Sequence, residues 1–352
     1  MVTVGIDPHK QVHVAVAVDA TGRQLGKPLT VKNDPQLVVI LLTWIGAISG
    51  DALVTWAIED GHGFARRLAD GLLVAGQQVV WVPTRLMVAH RRLHAATGAK
   101  SDTVDATAVA HAALAAPELD RHRIDEHVRE LRLLVDHRDE LVKRRTAVIN
   151  RAKAQLHLWL DHTPADLGRA KTVAATRVLL TKSPLRPYVQ GILNDMLDEI
   201  VDLNRRVLTL DNAVKELVAP LAPTLLQITG IGHHSAAVLI AEIGDITRFS
   251  SSAKLARYTG SAPIPVYSAD KERHRLHRGG NRRLNSVLYI AAIVQKRREP
   301  AAQNLLARHE AAKGTRGARR ILQRHLVDLV YRAMHTDRAT WTHSTVPANQ
   351  AA

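Results

Sequence analysis

Residues 2–31, VTVGIDPHKQVHVAVAVDATGRQLGKPLTV, decide the fold. VTVGID is a short apolar run that ends on a carboxylate. VHVAVAVDATG alternates strictly and closes on a Thr-Gly turn, and a third extended stretch runs from about Gln24 to Val31. Alternation with period two marks strands, and the short connections between them predict an antiparallel meander of three. Working outward, a helix is predicted from Pro35 to about Ile48, then the strand LVTWAI, a helix from Phe64 to Ala75, the strand VVWVP and a helix from Thr84.

The order βββαβαβα is that of a ribonuclease H-like α/β domain, in which the first and fourth strands lie side by side. Asp7 ends the first strand and Glu59 ends the fourth, Leu53 to Ile58, so both carboxylates belong at strand carboxyl ends, where open α/β sheets collect ligands and metals. Asp102 and Asp105 in AKSDTVDATAVAH are three residues apart in a helical segment and share one face. Each acid alone has an ordinary reading: Asp7 as a turn residue before Pro8, Asp102 as a helix N-cap, Asp105 as a partner of Lys100 or an arginine. Together they make an all-oxygen cage suited to Mg2+ or Mn2+ and to metal-assisted phosphoryl transfer.

The chain has 352 residues, enough for two or three domains, and carries a formal net charge of +15. A strongly basic chain around an acidic cluster fits a polyanion whose phosphates the surface holds while the acids hold metal. The positive charge is spread over many segments and not gathered on one amphipathic helix, which favours nucleic acid over a membrane surface. There is no cysteine, hence no disulfide framework, thiolate zinc site or cysteine nucleophile. The start MVTVGIDPHK has no cationic leader and no apolar run is long enough to span a bilayer, so the expectation is a soluble cytoplasmic protein.

Beyond about Ile124 the pattern is helical. Leu193, Met196, Ile200, Leu203, Val207, Leu210, Val214 and Leu217 recur at alternating spacings of three and four, a heptad seam that Pro220 and Pro223 stop. An earlier helix from about Glu126 to Leu160 is strongly basic, with Arg144 and Arg151 among its cations, and the stretch His162 to Leu185 reads as a connection. The pair suits an intramolecular helical hairpin with a solvated cationic face or a dimerising coiled coil. Further on, Gly230-Ile231-Gly232 lies between two short apolar helical segments, the pattern of a helix-hairpin-helix whose backbone N–H groups approach a phosphate. A Pro- and Gly-rich loop then carries Ser268 among cations, Lys271, Arg273, Arg275 and Arg278, and leads into a basic helix from about Asn281 with Arg282 and Arg283. On residue type alone a loop serine is ordinarily a solvated turn residue.

Asp7, Glu59, AKSDTVDA, the helical middle, the hairpin TGIG, the loop TGSAP followed by VYSA, and RGGNRRLN together resemble one family throughout: the DEDD-type insertion-sequence transposases related to the Piv invertases, bridge-RNA-guided DNA recombinases. The resemblance implies a RuvC-like domain over 1–116, a dimerising coiled-coil domain over 117–222, a mainly α transposase domain over 223–340 and a disordered tail over 341–352. It implies that Asp7, Glu59, Asp102 and Asp105 bind Mg2+, and that Ser268, five residues after Pro263, becomes covalently attached to DNA. Ala269 and Ser261 stand where the family commonly has Gly and Leu, which makes Ser261 a competing candidate. The implied partners are double-stranded donor and target DNA, a structured noncoding guide RNA and further copies of the chain, a dimer assembling to a tetramer, in a bacterial, nucleoid-associated setting. A RuvC-type endonuclease such as a junction resolvase, with water attacking, and a non-catalytic nucleic-acid-binding protein are the competing readings.

Overall fold

A computed structural model describes residues 1–341 except 60–63, 95–100, 117–118, 124, 269–270 and 277–278, with backbone alone at 93–94, 120, 265–268, 271–276 and 340–341. The chain divides into two compact units, Met1–Ile124 and Asp125–Ala352.

The first unit runs β1 (Val2–Pro8), β2 (Val12–Val18), β3 (Gln24–Lys32), α1 (Leu37–Ser49), β4 (Val54–Glu59), α2 (Arg66–Val74), β5 (Gln78–Val82), α3 (Thr84–His94), α4 (Asp102–Ala115) and a two-residue β6 (Asp120–Arg121). The six-stranded sheet has the order β3-β2-β1-β4-β5-β6. The meander is antiparallel, while β4 pairs parallel with β1, Val4 opposite Trp56 and Ile6 opposite Ile58. The predicted adjacency of the first and fourth strands is therefore present.

Alternation divides the side chains between the two faces. Val2, Val4, Ile6, Ala15, Ala17, Trp56 and Ile58 pack under α1 and α2. On the other face Val14, Val16 and Val18 pack on Ala106 and Ala110 of α4, and Ala57, Val80 and Val82 pack on Met87 of α3 and on Ala108, Val109 and Ala112 of α4. Helix α4 is built almost wholly of small residues on its sheet side, so it lies close. A Cβ on Gly5 would collide with the Ala106 carbonyl oxygen and stand 2.5 Å from the Ala110 nitrogen and 2.8 Å from Ala110 Cβ.

The second unit runs α5 (Glu126–Leu160), α6 (Ala170–Lys182), α7 (Pro187–Leu221), α8 (His233–Ile243), α9 (Ser252–Tyr258), the hairpin β7 (Pro263–Ser268) and β8 (Lys271–Leu276), α10 (Arg282–Arg298) and α11 (Pro300–Trp341), the last made of two helical stretches meeting at Gly314. The heptad seam of α7 is buried within the chain: Leu193, Ile200, Leu203 and Val207 pack with Leu141, Val148, Ala152 and Leu156 of α5. The intramolecular hairpin accounts for the seam, and its cations divide between cross-helix ties and a solvated face on which Lys143, Arg144 and Arg151 are exposed. Arg138 pairs with Asp211, Arg144 with Glu199, and Arg145 donates to Asn204. The near end of α5 joins a different core, where Leu131 and Val135 pack with α8, α10 and α11. The helical middle and the region after it thus share one compact unit.

Two stretches differ from their reading as loops. The 162–185 connection contains α6, whose Val173, Thr176 and Leu180 are buried at helical spacing. The Ser268 region is a two-stranded hairpin; Pro263 and Pro265 are tolerated because a two-stranded sheet consists of edges only.

Gly5→Ala is expected to destabilise the first unit by about 3 kcal/mol, because the collision is with backbone that cannot rotate away. Thermal melting checks it; an unchanged melting temperature would mean that α4 does not rest on β1 as described.

Candidate active site

Asp7 precedes Pro8, which keeps its backbone extended and in register opposite Val14 at the carboxyl end of β1. Glu59 is the last residue of β4, on the same sheet face as Ala57 and therefore beneath α4. Above these strand ends sits the first turn of α4. Ser101, not Asp102, is its N-cap, accepting from the Val104 N–H at 3.3 Å, which leaves Asp102 and Asp105 free to point from that turn. Asp7 and Asp105 are buried, Glu59 is half-buried and Asp102 exposed.

Acids from two other segments thus act on Asp7. Burial pushes the Asp7 carboxyl up to about 6; His9 opposes the rise, and the negative charges of Asp105, Glu59 and Asp102 add to it. Two basic side chains stand at the cluster. His9 Nε2 lies 3.2 Å from Asp7 Oδ2 and 3.5 Å from Asp102 Oδ1, and Arg91 of α3 donates to Asp105 Oδ1 at 2.9 Å. Neither was read from the sequence as part of the site. His9 had a signal, since it follows Asp7 by two. Arg91, from a different helix, had none. A buried carboxylate with three like neighbours and no lysine or arginine paired with it among the described residues fits a divalent cation held by oxygen donors.

The two candidate serines stand in different settings. The Ser261 hydroxyl oxygen is buried and has no hydrogen-bond partner among the described residues. Ser268 is the last residue of β7, in register opposite Lys271 at the end of the hairpin. The hairpin is rooted by close packing: Gly260 has φ 73°, and a Cβ on Gly280 would collide with the Gly260 backbone. Asn281 N–H donates to the Tyr258 carbonyl at 2.7 Å, its side chain caps α10 and donates to Glu242 Oε2 at 2.6 Å.

The expected nucleic-acid contacts distribute unevenly. Arg283 is gripped by Asp136, Asp139 and Glu242 at 2.5, 3.0 and 2.9 Å, a tie between α10, α5 and α8. Arg144 is held by Glu199, whereas Arg151 and Arg282 are exposed. Lys271, Arg273 and Arg275 lie on β8, and Arg278 falls outside the described residues. Gly230, at φ 93°, faces inward, its missing Cβ leaving room for Ala291 of α10; Gly232 caps α8 with open space beside it. The first glycine is explained by packing, the second is exposed to an approaching ligand.

The Asp7 shift sets a pH dependence. With the folded value near 6 and the ordinary value 3.8, the protonated acid favours the folded state. That contribution is full below about pH 4 and is lost as pH rises through about 6. Asp7→Asn does not titrate, so in chelator its stability relative to the parent is expected to grow from under about 1 kcal/mol at pH 4 to about 3 kcal/mol at pH 7.5. Denaturant titrations at the two pH values check it; a difference independent of pH would overturn the electrostatic account.

No helix among the described residues is long and apolar enough to cross a membrane. Residues 4–159 match the DEDD, IS110-type model described as "Transposase", and residues 222–307 match the Transposase IS116/IS110/IS902 family. The chain is 29% identical over 340 residues to the uncharacterized 44.8 kDa protein of insertion element IS116 from Streptomyces clavuligerus, covering 82% of this chain and 83% of that one. It is 25% identical to the 42 kDa protein of insertion element IS900 from Mycobacterium paratuberculosis, covering 98% of both. The transposase for insertion sequence element IS1111A from Coxiella burnetii is 26% identical over 54% of this chain and 53% of its own. With both family matches in order along the chain, the protein belongs to the IS110/IS116 family of DEDD insertion-sequence transposases.

Proposed function

We propose that this transposase cuts and rejoins DNA strands through a covalent phosphoserine intermediate on Ser268, with Asp7, Glu59, Asp102 and Asp105 holding Mg2+ or Mn2+. The observation that carries the metal half is the convergence of carboxylates from β1, β4 and α4 on a buried Asp7. When bound, the cation would supply Lewis-acid stabilisation of charge on the reacting phosphate oxygens.

What the chain itself contributes can be written residue by residue. The Ser268 hydroxyl attacks phosphorus, a phosphoserine ester forms as the strand's own ester breaks, and the departing oxygen takes a proton. Because one ester replaces another, a strand hydroxyl can reverse the step without ATP. Lys271, in register opposite Ser268, brings a positive charge to the end of the hairpin, where it would offset charge on the phosphorane-like transition state. The burial of the Ser261 hydroxyl supports Ser268 as the attacking group.

The acids belong to the first unit and Ser268 to the second. The reading includes a composite site completed between copies of the chain in a synaptic dimer or tetramer, so that pairing of donor and target DNA gates chemistry. It also includes a structured guide RNA that carries sequence specificity by base pairing. The charge excess, 48 Lys and Arg against 33 Asp and Glu, supports a large polyanionic partner.

The test is a strand-exchange assay with donor and target DNA and the RNA that co-purifies with the protein. Ser268→Ala is expected to lose the denaturation-resistant protein–DNA adduct, and Asp105→Asn to lose cleavage by about 10^3-fold with its fold retained. Cleavage by Ser268→Ala with no adduct in either protein would make the enzyme a nuclease that uses water. Full cleavage by Asp105→Asn would remove the cage from the chemistry, and activity without RNA would remove the guide.

A further inference from the structure

Among the described residues, the metal-ligating atoms that come together at the acidic cluster are not four oxygens. Asp7, His9 and Asp102 each offer one atom within 4.8 Å of the others, and one of these atoms is an imidazole nitrogen. Its position is built in by the chain. His9 follows directly on the end of β1, its ring reaching back to Asp7 and Asp102, and Pro8 before it limits the backbone. The His9 N–H donates to the Val12 carbonyl at 3.1 Å, closing the β1–β2 turn and fixing the residue above the strand end.

The spacing is informative. Neighbouring ligand atoms of an octahedral ion with bonds of about 2.1 Å are about 3.0 Å apart. His9 Nε2 stands 3.2 Å from Asp7 Oδ2 and 3.5 Å from Asp102 Oδ1, close to the edges of such an octahedron. The ring has no other side-chain partner among the described residues. Asp105, by contrast, is engaged by Arg91. An ordinary surface His–Asp pair would involve one carboxylate; here one nitrogen bridges two acids of different segments, one of them buried.

We infer that His9 is a nitrogen ligand of the divalent cation in this unit, making a mixed nitrogen–oxygen site that takes Mn2+ in preference to Mg2+. Imidazole suits transition metals, whereas Mg2+ prefers oxygen donors and retains its waters. The ring would bind as neutral imidazole through Nε2, the atom facing the acids, adding a donor without adding negative charge to an already crowded cluster. The inference rests on the reading that the acids hold metal.

The experiment uses the full chain labelled with 15N-histidine and loaded with Mn2+, read by pulsed electron paramagnetic resonance. The expected result is a histidine 15N coupling in the parent protein. In His9→Gln it disappears, Mn2+ affinity falls roughly tenfold, and Mg2+ affinity, by competition, changes less than about threefold. A Mn2+ site abolished by Asp7→Asn that has no histidine coupling, or keeps it in His9→Gln, overturns the inference and leaves the carboxylate cage standing. Mn2+ binding indifferent to Asp7→Asn overturns the cage and this inference with it. Should His9→Gln fail to fold, the labelled parent still decides whether a histidine is bound, and His9→Asn replaces it.

Discussion

The close approach of α4 to β1 at Gly5 is the contact on which the candidate site depends. Two of the four acids reach the cluster on a helix that has no covalent reason to lie over the first strand. They arrive because Ala106 and Ala110 meet a glycine instead of a side chain. A larger residue at that point would lift the helix by the width of a methyl group and carry Asp102 and Asp105 with it. The strand pairing of β1 with β4 sets the other half, since parallel register brings the ends of both strands to the same edge. The geometry of the candidate site is set by small residues that carry no chemistry.

The second unit uses charge for a similar purpose. Arg283 gathers Asp136, Asp139 and Glu242, and Asn281 joins Glu242 from the next position but one. Partly screened from water, these ties hold the start of α10, where the strand carrying the cations returns to the helical core. Removing one partner would leave the others unneutralised in a half-buried setting. The hairpin with Ser268 is thus rooted in a cross-helix network.

Much of this was legible in the sequence, for physical reasons that can be named. VHVAVAV alternates without exception, so β2 and its neighbours could be read directly. Asp7 and Glu59 follow apolar runs, and strand ends are where such runs stop. What escaped had weaker local signals. Helix α6 hides behind Thr172, Thr176 and Thr181 and between Gly168 and Pro184, all of which argue locally against helix. The hairpin was read as loop because KERHRL has no apolar alternation and VYS follows two prolines. The ion pairs were invisible because their members are distant in sequence: Arg283 looked like a free cation until it met acids of α5 and α8. The seam of α7 was legible as a seam but not as to its partner, since periodicity describes one surface and says nothing about which chain covers it.

Helix α5 serves two cores, its first turns packed with α8, α10 and α11 and its remainder with α6 and α7. At 35 residues it is a rod of roughly 52 Å with no proline or glycine to bend it. A stiff element anchored at one end is a lever. A tilt of only about 5° where Leu131 and Val135 are clamped would sweep the far end by about 3–4 Å, the scale of one base-pair step. The helical pair can therefore convert a small repacking near the serine hairpin into a displacement large enough to be sensed by whatever its far end touches.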